Sequence, residues 1–486
     1  MPNALRPALR PAVLLTLVAT SLGPFGSGQD KPTDKPTGDK PQIAVRVDPR
    51  IELMSVVFRL AGNPEYSMGR VPAYTKAAED WFGPHKDHEV VKQAKRLRAT
   101  VGVGFDAVAS FAVHLDGTDP PKFAVPWNPR PDRLDQRWLV PDAKSFLKNL
   151  AAFAADSKAK QFFAGQKELY AHAEAQMQKV IAEHTDLTWF QTFFGARPTA
   201  RFQVVLGLLN GGCNYGPSAQ LRDGNEDLYA ILGCWDVDEE GQPRYDRMVV
   251  PTLVHEYCHS YCNHVVDVHY EELREAGDAL FDKTADAMKS QAYCNGRTVL
   301  CESLVRACVV RYRAVAEGDK AAAEEIAEQK RNSFHWTGEL AELLATDYEK
   351  NRKDFPTLQE FGPKLAAFFR DQVSKVEAML ANTPKVVAMT PANGQQDCDP
   401  ATQALVVTFD RPMKDGSWAV VGGGEHYPKM GKPSYDASRK VLTVPLELKP
   451  DWSYELWLNH GKFDTFRSED GTPLQPVHVT FKTRAK

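Results

Sequence analysis

The sequence predicts an α+β chain: a mixed helix-and-sheet domain followed by an all-β sandwich. Three observations predict it. Helical periodicities fill most of residues 42–384, two apolar β-rich runs interrupt them at 202–209 and 228–235, and beyond residue 385 short alternating runs take over. At 486 residues the chain also exceeds what one compact domain usually holds.

The first 28 residues read as an export signal. Arg6 and Arg10 supply a positive start, residues 12–22 form an uncharged apolar run, and Gly26, Ser27 and Gly28 offer a small-residue cleavage site. That run is shorter than the roughly 20 residues a spanning helix needs, and no cysteine follows it for a lipid anchor. Residues 29–41 alternate Lys, Asp, Pro, Thr and Gly, a composition that cannot bury enough surface to fold, so a flexible tether is expected. No later run is long enough to cross a bilayer. The expectation is a secreted, periplasmic or cell-surface protein with no integral membrane segment.

Residues 42–384 justify the mixed domain. A short strand is expected at 42–47 and a helix at 51–60. The stretch 144–184 is helical, with Phe146, Leu150, Phe153, Phe162 and Phe163 as its buried stripe. The runs FQVVLGLL (202–209) and LYAILGCW (228–235) read as strands. Helices are then expected at 249–267, where Pro251 marks the first turn, and at 268–288, 298–315, 320–331, 338–351 and 363–380. Residues 385–486 carry alternating runs at 386–389, 404–409, 440–444, 454–458 and 477–481, the pattern of an antiparallel sandwich.

Charge and cysteine usage narrow the function. The net charge of −4 falls to −6 without the two signal arginines, and no basic block is present, which argues against nucleic acid as a partner. Seven of the eight cysteines lie between Cys213 and Cys308, with Cys398 apart. Export permits disulfides, but a core this large does not require them, so at most one or two bridges are expected in that block.

The chemistry concentrates in His255-Glu256-Tyr257-Cys258-His259, an H-E-x-x-H motif. On a helix, positions i and i+4 share one face, so the two imidazoles can bind one ion. Glu256 lies about 100° round the helix, placed to take a proton from a metal-held water rather than to ligate. A chance match is expected in roughly two such chains in a hundred. A catalytic zinc site usually takes a third protein ligand. A histidine ten residues after the first is excluded, because that position is Val265 and His264 is out of register. Glutamates on later helices remain: Glu271, Glu272, Glu275 and Glu302. The first three sit in a charged, solvated run. Glu302 stands in the apolar segment CESLVRA, where an unpaired carboxylate is costly, and is the favoured ligand. An ion pair with Arg306 one turn on is its bland explanation, compatible with a metal role.

Val47-Asp48-Pro49-Arg50-Ile51-Glu52-Leu53, Lys86-Asp87-His88, HEYCHSYCN and ESLVRA, in that order, resemble a family of exported bacterial proteins catalogued as a domain of unknown function and regarded as similar to the gluzincin metallopeptidases, a zincin-like fold. The resemblance covers about residues 42–380. It implies His255, His259 and Glu302 as Zn2+ ligands and Glu256 as base. The spacing to the third glutamate is longer than in thermolysin-like enzymes, so substrate does not carry over. Thr390-Pro391-Ala392-Asn393-Gly394, the run from Val407 to Met413, and Phe481-Lys482-Thr483 resemble a bacterial immunoglobulin-like domain, which implies a spacer or a cell-surface contact.

Weaker signals have plainer explanations. Cys258 and Cys262 flank the second histidine but suit packing or a disulfide, since a cysteine-rich site would close the open position catalysis needs. Asp236 to Gly241 lacks the pattern of a calcium loop and reads as a charged turn. Residues 202–209 or Asn210-Gly211-Gly212 could hold an extended substrate by β-addition, or be plain core. Tyr293, Arg306 and His335 are candidate oxyanion donors. The expected function is zinc-dependent hydrolysis of a protein or peptide substrate. The competing reading is a non-catalytic binding protein of the cell surface.

Overall fold

The computed structural model describes residues 43–460 and 463–485. The expected export signal and tether lie outside them. The described chain forms two units: residues up to Thr188 with Thr199–Arg247, and Trp189–Pro198 with Met248 onward. Both helix and sheet are present, as expected for an α+β chain.

In the first unit a four-stranded sheet runs in the order Ala44–Arg46, Ala200–Gly207, Glu226–Gly233, Ser218–Gln220. The first three are parallel, with Ala200 opposite Glu226 and Gly207 opposite Gly233, and the last is an antiparallel edge. Such pairing buries strands on both faces, and residues 228–233 are buried without alternation. Ala200–Gly207 is therefore an interior strand, paired along its length with Glu226–Gly233 and, over Gln203–Val205, with Ala44–Arg46 on the other side.

The VDPRIEL segment turns that sheet into a helix. Asp48 caps Pro49–Leu60 by accepting from the Arg50 amide, and its carboxylate holds Arg46 and Arg50 at 3.1 and 2.6 Å. Proline at the first turn loses no hydrogen bond there. Lys86 and Asp87 precede a second capped helix, Glu89–Val101, where His88 Nδ1 accepts from the Val90 amide. The stretch 144–184 is helical as expected, in three segments, Val140–Asp156, Ala159–Ala164 and Lys167–His184. The break falls at Lys158, whose φ of 53° lies in the left-handed region. The predicted stripe of Phe146, Leu150, Phe153, Phe162 and Phe163 is buried throughout.

The second unit begins as helices: Val250–Val268, Tyr270–Ser290, Gly296–Ala316, Asp319–Arg331, Thr337–Leu343 and Gly362–Asn382, each within a few residues of its expected place except that the one expected to reach 351 ends its α-helical turns at Leu343 and continues as the π turn Leu344–Tyr348 and the 3-10 turn Glu349–Asn351. Trp189–Pro198 joins them because Tyr348 and Arg352 both donate to the Phe193 carbonyl at 2.7 Å and Arg197 donates to the Ser260 carbonyl at 3.1 Å. Beyond residue 385 two antiparallel sheets enclose one core of Leu405, Val407, Phe409, Leu442, Leu456 and Val479. One sheet is built on Val386–Thr390, Ala404–Phe409 and Val441–Glu447, the other on Ser453–Leu458 and Val477–Lys482. No helix of the described residues is long and apolar enough to cross a membrane.

Candidate metal centre

Two neighbouring helices carry the site. Val250–Val268 presents Leu253, Val254, Tyr257, Cys258 and Cys262 inward, leaving His255 and His259 half-buried on one face. Gly296–Ala316, capped by Asn295 Oδ1 accepting from the Thr298 amide at 2.8 Å, is buried on nearly every side from Val299 to Val310. A helix apolar all round belongs inside a bundle, and this one nevertheless carries Glu302 and Arg306 into the interior. Something must compensate them.

The compensation is partial. His255 Nε2 stands 3.5 Å from Glu302 Oε2, and His259 Nε2 stands 3.5 Å from Oε1. The two rings lie 4.9 Å apart at 79°. His259 Nδ1 meets Asn263 Oδ1 at 3.1 Å, an oxygen that can only accept, so Nδ1 donates there and Nε2 faces Glu302. Burial pushes the His255 imidazole down to about 3, which leaves it neutral. Burial by itself would raise Glu302, but the charges of His255, Arg306 and His259 and the Tyr293 hydroxyl hold it below the ordinary carboxylate range. Of those, we ascribe the ionised carboxylate chiefly to Arg306, since a neutral His255 offers no charge.

Two imidazole nitrogens thus face an ionised carboxylate across 3.5 Å, and Glu302 Oε2, buried, has only the Arg306 ion pair at 3.2 Å and no hydrogen bond of good geometry. A cation resolves both. Ligands arranged tetrahedrally about 2.0–2.1 Å from an ion stand roughly 3.3 Å apart, close to these separations. Among the described residues His255, His259 and Glu302 are the group of nitrogen, sulfur and carboxylate donors able to hold a metal ion, all within 4.8 Å.

Arg306 backs the carboxylate at 3.2 Å. Its guanidinium donates to the Tyr293 hydroxyl at 2.9 Å and to Gln329 Oε1, and lies 4.3 Å from the centre of the Phe334 ring. Tyr293 and Arg306, two of the three candidate oxyanion donors, hold Glu302 and each other. The His335 ring is pushed down to about 4 by burial, and its Nε2 has no partner among the described residues. Glu256 is buried beside His255 in the chain. Glu271, Glu272 and Glu275 are exposed on Tyr270–Ser290, apart from the histidines. Asn263, Gln329 and Phe334 were not anticipated. Asn263 had a signal, since it stands one helical turn beyond His259.

The remaining candidates are structural. Asp236 to Gly241 is a turn, with Asp238 Oδ1 accepting from the Gln242 amide at 2.8 Å and Gly241 at a φ of 76°. All eight cysteines are free thiols.

The sequence profile of the family described as "Domain of unknown function (DUF4932)" matches residues 43–368. The chain belongs to that family. No curated protein matches the chain. Two solved surface-layer structures are similar to parts of it: "Structure of surface layer protein SbsC, domains 1-6", at 15% identity over 49% of this chain and 34% of that one, and "Crystal structure of the S-layer protein rSbsC(31-844)", at 13% over 82% and 46%. The chain thus spans less than half of either, and both TM-scores are 0.17, too low to indicate a common fold.

Proposed function

We propose that the protein is an exported zinc-dependent hydrolase of peptide bonds, with a zincin-like domain over residues 42–384 and an immunoglobulin-like domain over 385–486 that serves as a spacer or surface contact. The observation that carries the reading is the convergence of His255 Nε2 and His259 Nε2 on opposite oxygens of Glu302, each at 3.5 Å.

His255, His259 and Glu302 are the ligands in this reading. Bound zinc supplies Lewis acidity and lowers the pKa of a coordinated water to about 7. Asn263 fixes the His259 tautomer, so that Nε2 is free to coordinate. Arg306 keeps Glu302 ionised and oriented. Glu256, set about 100° round the helix from His255, accepts the water proton on its carboxylate and returns it to the leaving amine. Two histidines and one carboxylate make an open donor set of the catalytic kind, whereas a closed structural set takes four.

The test is zinc content of the purified chain, followed by digestion of a peptide library read by mass spectrometry with and without chelator. Stoichiometric zinc with chelator-sensitive cleavage is expected. Zinc without cleavage, in wild type and Glu256→Gln alike, sinks the enzymatic reading in favour of a binding protein.

A further inference from the structure

Val250–Val268 also bears Cys258 and Cys262, one turn apart and buried alongside the two histidines, and Gly296–Ala316 brings Cys308 up to Cys262. All three are fully buried, and the Sγ atoms of Cys262 and Cys308 lie 3.8 Å apart. We propose that Cys262 and Cys308 are a disulfide site, and that the bond joins the helix of His255 and His259 to the helix of Glu302.

Three observations favour this pair. The 3.8 Å separation is ordinary contact between thiols, about 1.8 Å beyond the roughly 2.05 Å of a bond. Cys308 is the sulfur that neighbours both Cys258 and Cys262, so a bridge between the two helices in this cluster must use it. The thiolate is the attacking species. Finally, the sulfurs lie in the interior, with Val265, Val305 and Val309 buried on the same two helices.

The oxidant is a disulfide of the surrounding compartment, small-molecule or protein. The Cys308 thiolate attacks one sulfur of that donor, forming a mixed disulfide and expelling one donor thiolate. The Cys262 thiolate then attacks the Cys308 sulfur and expels the second. Two protein thiols are oxidised, one donor disulfide is reduced to two thiols, and the two protons lost by the cysteines are taken up by the two expelled donor thiolates. Because neither sulfur is reachable in the folded chain, the exchange takes place while the two helices are still docking, and the finished bond is then shielded from reductants. Cys258 remains a thiol.

The full chain is unfolded, refolded with reduced and oxidised glutathione, alkylated in denaturant, and digested without reduction for mass mapping. A linked pair of peptides carrying Cys262 and Cys308 is expected, with the intact chain about 2 Da lighter. Under native conditions dithiothreitol should leave the bond intact, and in urea it should break it. Cys258→Ser should keep the linked pair, and Cys262→Ser should lose it. A folded wild-type chain with Cys262 or Cys308 alkylated, or with Cys308 joined to another cysteine, overturns the assignment. The map reads the bond whether or not the chain hydrolyses anything, so it stands apart from the catalytic reading.

Discussion

The Arg306 guanidinium lies 3.2 Å from the Glu302 carboxylate, one helical turn away inside the bundle. Neither group has free access to water, so each is the other's principal compensation until a cation arrives. Removing one member of such a pair leaves an uncompensated charge, typically at a cost of about 3–5 kcal/mol.

Arg306→Met should therefore destabilise the metal-free chain by that order and weaken zinc binding roughly 10- to 100-fold. Saturating zinc should widen the stability gap between variant and wild type by about 1.4–2.7 kcal/mol, because the variant, binding the ion that much more weakly, gains less from it. Thermal melts with and without zinc measure this, and an unchanged gap removes the metal role of Glu302.

Glu256→Gln should retain zinc at the wild-type stoichiometry and lower turnover by roughly 10²- to 10⁴-fold. His259→Ala should lose both metal and turnover. Metal analysis beside a peptide-cleavage assay separates the two, and cleavage by Glu256→Gln at the wild-type rate eliminates the proposed base.

Asn263→Ala frees the far nitrogen of His259 to change tautomer. Zinc affinity should fall roughly 10- to 100-fold while the fold is preserved. Competition with a chromogenic chelator gives the affinity, and circular dichroism checks the fold. Unaltered affinity would show that Asn263 does not orient the ring.

Glu52 sets a pH dependence in the first unit. It is fully buried, and burial lifts its carboxyl from the ordinary 4.5 to about 7 despite hydrogen bonds from Tyr74 and the backbone of Leu209 and Leu208. A carboxyl raised on folding contributes stability below its unfolded value and loses it as pH climbs toward the folded one. Stability should therefore fall between about pH 4.5 and 7, by an amount on the order of 3 kcal/mol. Glu52→Gln, which still accepts from Tyr74, should abolish that component. Denaturant melts of both chains across the window decide it, and parallel curves would show that Glu52 does not titrate there.

Much of the second unit was legible in the sequence. Pro251, the histidine spacing and the carboxylate stranded in CESLVRA placed both helices and all three donors, because helical periodicity and the cost of a buried charge are local properties. What escaped depends on distant partners. Phe193 joins the second unit through Tyr348 and Arg352, more than 150 residues away in the chain. The break at Lys158 was hidden because a lysine in a left-handed conformation leaves no compositional mark. The backing of Arg306 by Gln329 and Phe334 needed the packing of a third helix and the turn after it.

Because the central helix Gly296–Ala316 is enclosed on almost every side, Glu302 cannot swing out when an ion departs. The three donors sit on scaffolding that a vacant centre does not release. Loading should accordingly leave the far-ultraviolet dichroism unchanged, unlike small domains that fold only around their zinc, and little of the binding free energy goes into ordering the chain.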